Sequence, residues 1–155
     1  MQKERIGEEL TSVAFDFFYW FSRFEFALKE NGYLKNHTDG ALAMPGWEDF
    51  VARWESDFHP STESNDLLNV SPKTQIVVSG NLTWKDVGMT DCKTELRKVV
   101  RLLKTVRNNL FHGGKHGGEA WDDPIKTKQL LTSGKAVLDQ LAAMAGIEPD
   151  YTQYY

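Results

Sequence analysis

Cysteine is nearly absent from this sequence: Cys92 is the only one in 155 residues. An internal disulfide is therefore excluded, and no cysteine cluster exists to hold a metal. Long apolar runs are missing as well. The most hydrophobic stretch, FDFFYWFSRFEFAL, is broken by Asp16, Arg23 and Glu25, which makes it a poor membrane span. The N-terminal MQKERIGEEL is charged and no apolar signal core follows it. With the lone cysteine, this leads to the expectation of a cytoplasmic protein with no membrane partner. Basic charge is not in excess either. Eighteen Lys and Arg stand against 22 Asp and Glu, a net charge of −4, and the pI is about 5.6. Such a chain does not coat nucleic acid broadly, so any polyanion site has to be a local patch. The Asn-X-Thr triplets at Asn36 and Asn81 mean little without secretion. No repeat, low-complexity run or linker divides the chain, and residues 1–155 read as one domain of ordinary length.

Aromatic residues are abundant, and they gather near the N-terminus. Residues 8–31 read as a helix with Leu10, Val13, Ala14, Phe17, Trp20, Phe21, Phe24 and Leu28 on one face. The opposite side carries Phe15, Phe18, Tyr19 and Phe26. A helix apolar on two sides is buried on two sides, either within its own core or against a second subunit. Gly32 suits the stop of this helix. Residues 46–57 form a short helix with Trp47, Phe50, Val51 and Trp54 on one side, and FHPSTES then reads as loop. PKTQIVVSGNLTW, within an insert of residues 71–86, reads either as a small hairpin or as extended chain lying across helices; no large sheet is expected.

Residues 91–111 form the second long helix, with Asp91 as its cap and Leu96, Val99, Val100, Leu103, Val106 and Leu110 as its stripe. Lys93, Arg97, Arg101 and Lys104 stand on the other side. That row is either a solvated face or the local basic patch that RNA binding by an acidic protein needs. Residues 123–145 form the last helix. Pro124 lies in its first turn, and its stripe is Thr127, Leu130, Leu131, Val137, Leu138, Leu141 and Ala145. Gly134, mid-stripe, would let another backbone come close. The expected fold is all-α, with three or four principal helices.

The stretch RNNLFHGGKHGG, residues 107–118, carries the chemistry. Arg107 continues the apolar stripe of its own helix, where a guanidinium is seldom placed without a partner. It can snorkel at the stripe's end, pair with a buried carboxylate, or line a cleft and bind an anion. His112 stands five residues later, and Gly113 and Gly114 allow a sharp turn that folds it back toward Arg107. The GGK triplet is no P-loop: position 109 is not glycine, His116 replaces the Ser/Thr, and a helix rather than a strand precedes it. His112 and His116 have zinc-like spacing, but the intervening glycines interrupt a helix and no Glu adjoins His112. No metal or other cofactor is expected.

Arg107-Asn108-Asn109-Leu110-Phe111-His112 resembles the arginine, four-to-six-residue, histidine motif of HEPN domains (higher eukaryote and prokaryote nucleotide-binding). A polar residue commonly follows that arginine, as Asn108 does here. VRNNLFHGGK is particularly similar to small prokaryotic HEPN proteins of defence and toxin systems. The likeness is strong over residues 91–145, extends to 8–31 and is absent over 46–90. It implies a HEPN-like helical bundle, a homodimer in which the motifs of two subunits meet in one cleft, and a metal-independent endoribonuclease with a neutralising antitoxin or other regulatory protein as partner. Other members keep the fold and only bind RNA, nucleotide or protein.

RNA carries its own nucleophile, the 2′-hydroxyl. The enzyme must supply proton transfer and a cation. A histidine, here His112, titrates near neutrality and moves the proton; an arginine, here Arg107, grips phosphate oxygens with two hydrogen bonds. Supporting roles fall to Asn108 (orienting phosphate or histidine), to Lys115 and His116 (holding flanking backbone), and to Glu25 (pairing with Arg107).

Overall fold

The computed structural model describes residues 7–112 and 123–153, with the backbone alone at His112. In chain order they form α1 (Glu8–Glu30), α2 (Trp47–Trp54), α3 (Thr62–Val70), β1 (Lys73–Val78), β2 (Asn81–Asp86), α4 (Glu95–His112), α5 (Pro124–Ala145) and α6 (Glu148–Thr152). The protein is mainly helical with one two-stranded antiparallel sheet among the described residues. No helix among them is long and apolar enough to cross a membrane.

The core follows the three periodic stripes. Phe17, Phe21, Phe24 and Leu28 of α1, Leu96, Val99, Leu103 and Val106 of α4, and Leu130, Leu131, Val137, Leu138 and Leu141 of α5 are all buried. The stripe of α4 is wider than its spacing indicates, because Leu102 is buried too. Gly134 admits a side chain rather than a backbone. A Cβ built there would lie 2.7 Å from Cε2 of Phe17 and 3.5 Å from Cδ2 of Leu103, so the bare glycine is the seat for the Phe17 ring.

The ends of the long helices are set by local chemistry. Gly32, at φ 78°, closes α1: its N–H donates to the Lys29 carbonyl and that of Tyr33 to the Leu28 carbonyl. Gly146, at φ 67°, does the same for α5. Asp123 caps α5 by accepting from the N–H groups of Ile125 and Lys126, with Pro124 in the first turn as expected.

Two expectations are revised and one open choice is decided. The stretch read as loop after residue 57 runs into α3, whose cap is Ser61: its hydroxyl accepts from the Ser64 N–H at 3.1 Å. The polar first turn hides that helix, which buries only Ser64 and Leu67. Next, α4 begins at Glu95, not at 91. Asp91 does not cap it, because both Asp91 oxygens are taken by Arg101 at 2.5 and 2.6 Å. Thr94 accepts the Arg97 N–H instead. Of the two readings of the insert, the hairpin is the one that forms. Val78 faces Asn81 across its end, and Ser79 and Gly80 both have positive φ, 51° and 78°, the signature of a tight type I′ turn. The chain after α5 docks through α6: Tyr151 is buried, and its hydroxyl donates to Asp139 at 2.8 Å. Burial, and then this bond, push the Tyr151 phenol well above its ordinary range.

The seat at Gly134 yields the first prediction. Alanine is the better helix former by roughly 1 kcal/mol, yet its methyl group overlaps a fully buried ring. Gly134→Ala is expected to destabilise the protein by about 1–3 kcal/mol. Urea unfolding followed by circular dichroism measures this, and unchanged or raised stability would show that Phe17 retreats freely.

Candidate functional site

Arg107 lies in the penultimate turn of α4, half-buried, where the apolar stripe gives out. Its guanidinium sits 5.6 Å from the Phe21 ring centroid and 5.8 Å from that of Phe111, within reach of both π faces. Four residues after Phe21, the same face of α1 brings Glu25 alongside. Nη2 of Arg107 is 3.8 Å from Oε2 of Glu25, an ion pair too long for a hydrogen bond. The other guanidinium arm, Nη1, donates to Oδ1 of Asn108 at 2.9 Å. Of the three fates open to Arg107, the structure shows pairing with a half-buried carboxylate, at a position that lines a cleft.

Glu25 is itself held. Its Oε1 accepts the indole N–H of Trp47 at 2.9 Å, and Trp47 is buried between Phe21, Phe24 and Phe50, with ring centroids 5.5, 5.0 and 6.4 Å away. The far wall of the cleft is the loop between α1 and α2, folded onto itself as a bridge of Leu34 with Pro45. Lys35 N–H donates to the Met44 carbonyl at 3.0 Å, and Gly46 N–H to the Tyr33 carbonyl at 2.8 Å. A Cβ on Gly46 would stand 2.5 Å from the Leu34 carbonyl carbon, so only glycine lets the two passes of the loop close up. The resulting cleft has a volume of about 340 Å³ and gathers Arg107, Asn108 and Lys104 of α4, Glu25 of α1, and Lys35, Met44 and Glu48 opposite.

A second cleft of about 370 Å³ adjoins it, sharing Glu48, Lys104 and Asn108 and running along α4 past Arg101 and Arg97. Two of the four basic residues of the row, Arg97 and Arg101, are neutralised there. Arg97 bonds Glu55 at 2.8 Å and Glu48 at 3.2 Å, and its hydrogen bond holds the Glu55 carboxyl below the usual range. Arg101 takes both oxygens of Asp91 and also donates to the Gly88 carbonyl. Lys104 has no ion-pair partner among the described residues.

Of the residues singled out from sequence, Arg107, Asn108 and Glu25 come together at the first cleft. The α4 backbone stays helical through His112, which sets its Cα about 7.5 Å beyond that of Arg107 along the axis. The His112 side chain, Lys115, His116 and the Gly113-Gly114 turn lie outside the described residues. Asn109, given no role from sequence, donates to the Lys73 carbonyl at 2.7 Å and ties the hairpin base to the motif. Sequence reasoning also missed the wall of Lys35, Met44 and Gly46. Its one signal is the Pro45-Gly46 dipeptide, which marks a turn but names no site. Among the described residues no group of three or more His, Cys, Asp or Glu is placed to hold a metal ion.

Family models, characterised proteins and solved structures offer no match to this chain.

The Arg101–Asp91 pair makes a pH prediction. The Arg101 hydrogen bonds, and then Asp91's own backbone, hold this carboxyl at about 2, down from the usual 3.8. The folded value is depressed, so the contribution of the pair is complete above the unfolded value and is lost as pH falls toward 2. Carbon-detected NMR titration should place the Asp91 midpoint near 2 and return it toward 3.8 in Arg101→Gln. An unshifted midpoint in the parent protein would mean the pair is not kept in solution.

Proposed function

We propose that this protein is a HEPN-type, metal-independent endoribonuclease of the toxin or antiviral defence class, with Arg107 and His112 as its catalytic residues. One observation carries the reading: Arg107 is steered by Glu25 and Asn108 to the mouth of an open cleft, on the helix that also carries His112. A cation so held suits the dianionic phosphorane-like transition state of RNA transesterification. In the proposed step His112 removes the 2′-hydroxyl proton. The 2′-oxygen bonds to the adjacent phosphorus, the bond from phosphorus to the 5′-oxygen breaks, and that oxygen takes up a proton. The products are a 2′,3′-cyclic phosphate and a 5′-hydroxyl.

The ion pair with Glu25 also favours a second reading, a module of the same fold that binds RNA, nucleotide or protein without cutting it, since a guanidinium already partnered can serve structure alone. Turnover separates the two. Mixed RNA incubated with the protein in EDTA should be cut, leaving cyclic or 3′-phosphate ends. His112→Ala should slow the chemical step by roughly 100-fold or more, and Arg107→Ala by about as much. Arg107→Lys keeps the charge and loses the two-pronged grip, so it should stay folded and still be slow. Cutting of 2′-O-methyl RNA at the rate of plain RNA, or loss of activity in EDTA, would rule the mechanism out.

The proposal includes a homodimer, and the surface next to the motif supports it. Phe15 and Phe111 are 68% and 61% exposed, and Phe18, itself 37% exposed, lies against Phe111 at 5.3 Å between ring centroids. Exposed aromatic area of this kind, one turn from Arg107, marks a contact surface. Sedimentation at micromolar concentration should show twice 17.7 kDa, and Phe15→Glu should shift it to monomer. A parent protein that sediments only as monomer would sink the shared cleft. A neutralising protein remains part of the proposal on the toxin reading.

A further inference from the structure

The cleft beside Arg107 has more in it than the two-residue motif uses. Its α4 side carries Lys104 one turn before Arg107, on the same face of the helix. Both line the cleft, and Lys35 reaches it from the loop opposite. Neither Lys104 nor Lys35 has an ion-pair partner among the described residues, whereas Arg97 and Arg101 farther along α4 are bound by carboxylates. Among the described basic residues of α4, Lys104 is thus the one without a carboxylate, and Lys35 faces the same cleft. Next to them is an apolar wall: Met44, 46% exposed, with Leu34 and Pro45 behind it. The remaining rim holds the carboxylates of Glu48 and Asp49, the latter also bound by His37 at 2.8 Å.

This distribution orients a ligand. An anion is repelled from the Glu48–Asp49 rim and drawn to the lysines. A flat apolar group is best covered by Met44, whose flexible thioether packs against aromatic rings. The volume, about 340 Å³, is at the small end of ordinary ligand sites. A nucleotide matches this arrangement, with an anionic phosphate for the lysines, a flat base for Met44 and base amino groups that can donate to the Glu48–Asp49 rim. We infer that the cleft formed by α4 and the loop before α2 is a flanking-nucleotide subsite for single-stranded RNA, with a phosphate between Lys104 and Arg107 and the adjoining base against Met44. The inference rests on the ribonucleic-acid reading above and assigns it a binding register: the chain enters over Lys104 and Met44 and leads its next phosphate to Arg107. An extended acidic peptide would use the lysines but leave Met44 without a ring.

The test uses the full chain with methyl-13C methionine and a 2′-O-methyl oligoribonucleotide of about eight residues, which binds without being cut. The Met44 methyl resonance should move upfield on binding, as expected for a group under an aromatic face, and inorganic phosphate alone should not move it that way. Lys104→Gln should weaken affinity roughly fivefold and lower the slope of log affinity against log salt by about 0.7. Met44→Ala should weaken affinity while leaving that slope unchanged. Both side chains are exposed, so neither variant endangers the fold. A silent Met44 methyl at saturating oligonucleotide would overturn the subsite, even if plain RNA is cleaved. An equal upfield shift with a glutamate-rich peptide would overturn the nucleotide assignment. An upfield Met44 shift with uncleaved plain RNA would keep the subsite and discard the nuclease reading, so the two failures are distinguishable.

Discussion

A buried indole N–H requires an acceptor, and the placement of this protein's candidate site follows from how Trp47 finds one. Trp47 is 4% exposed and stacks on Phe24 at 5.0 Å between centroids. Its N–H, cut off from water, would cost on the order of 1–3 kcal/mol if left unpaired. Glu25 supplies the acceptor. That bond stations a carboxylate at the edge of the core, and its second oxygen then faces Arg107. The aromatic cluster thereby reaches through Glu25 to the guanidinium and sets where a positive charge stands on α4. Replacing Glu25 would affect core and cleft together, because the same side chain serves both.

The loop before α2 shows how a segment with little regular structure becomes a wall. The two passes of the loop of residues 33–46 are joined by the Lys35–Met44 and Gly46–Tyr33 backbone hydrogen bonds and by the close approach that Gly46 permits. Trp47 follows immediately, so the loop's end is anchored in the core by the residue that engages Glu25. Met44 and Lys35 are presented from this frame, opposite α4. The ion pairs along α4 have a complementary effect. Arg97 joins α4 to α2 and Arg101 joins it to the segment before α4, while Lys104 of the same helix takes no carboxylate among the described residues.

Much of this was legible in the residues, for reasons that differ by element. The cores of α1, α4 and α5 could be read because each buries a stripe with helical period, and burial is what that period encodes. Arg107 stood out because a charge in such a stripe demands a partner, and Glu25 was within range as that partner. The helix α3 escaped notice because it buries so little that no period shows. Asp91 was misassigned because an aspartate before a helix has two good uses, capping its N–H groups or holding an arginine of the next turns, and only the position of Arg101 selects between them.

The sequence by itself determined a mainly helical protein, the apolar stripes of its three long helices, and the oddity of Arg107. These are local matters of period, propensity and the cost of burying charge. Tertiary structure alone decided that the loop of residues 33–46 faces Arg107, that Gly134 seats the Phe17 ring, and that two of the arginines on α4 are neutralised while Lys104 is not. Each of these joins groups far apart along the chain, and no local rule couples them. They are settled only when the helices pack and each buried polar group takes the partner that packing brings within reach.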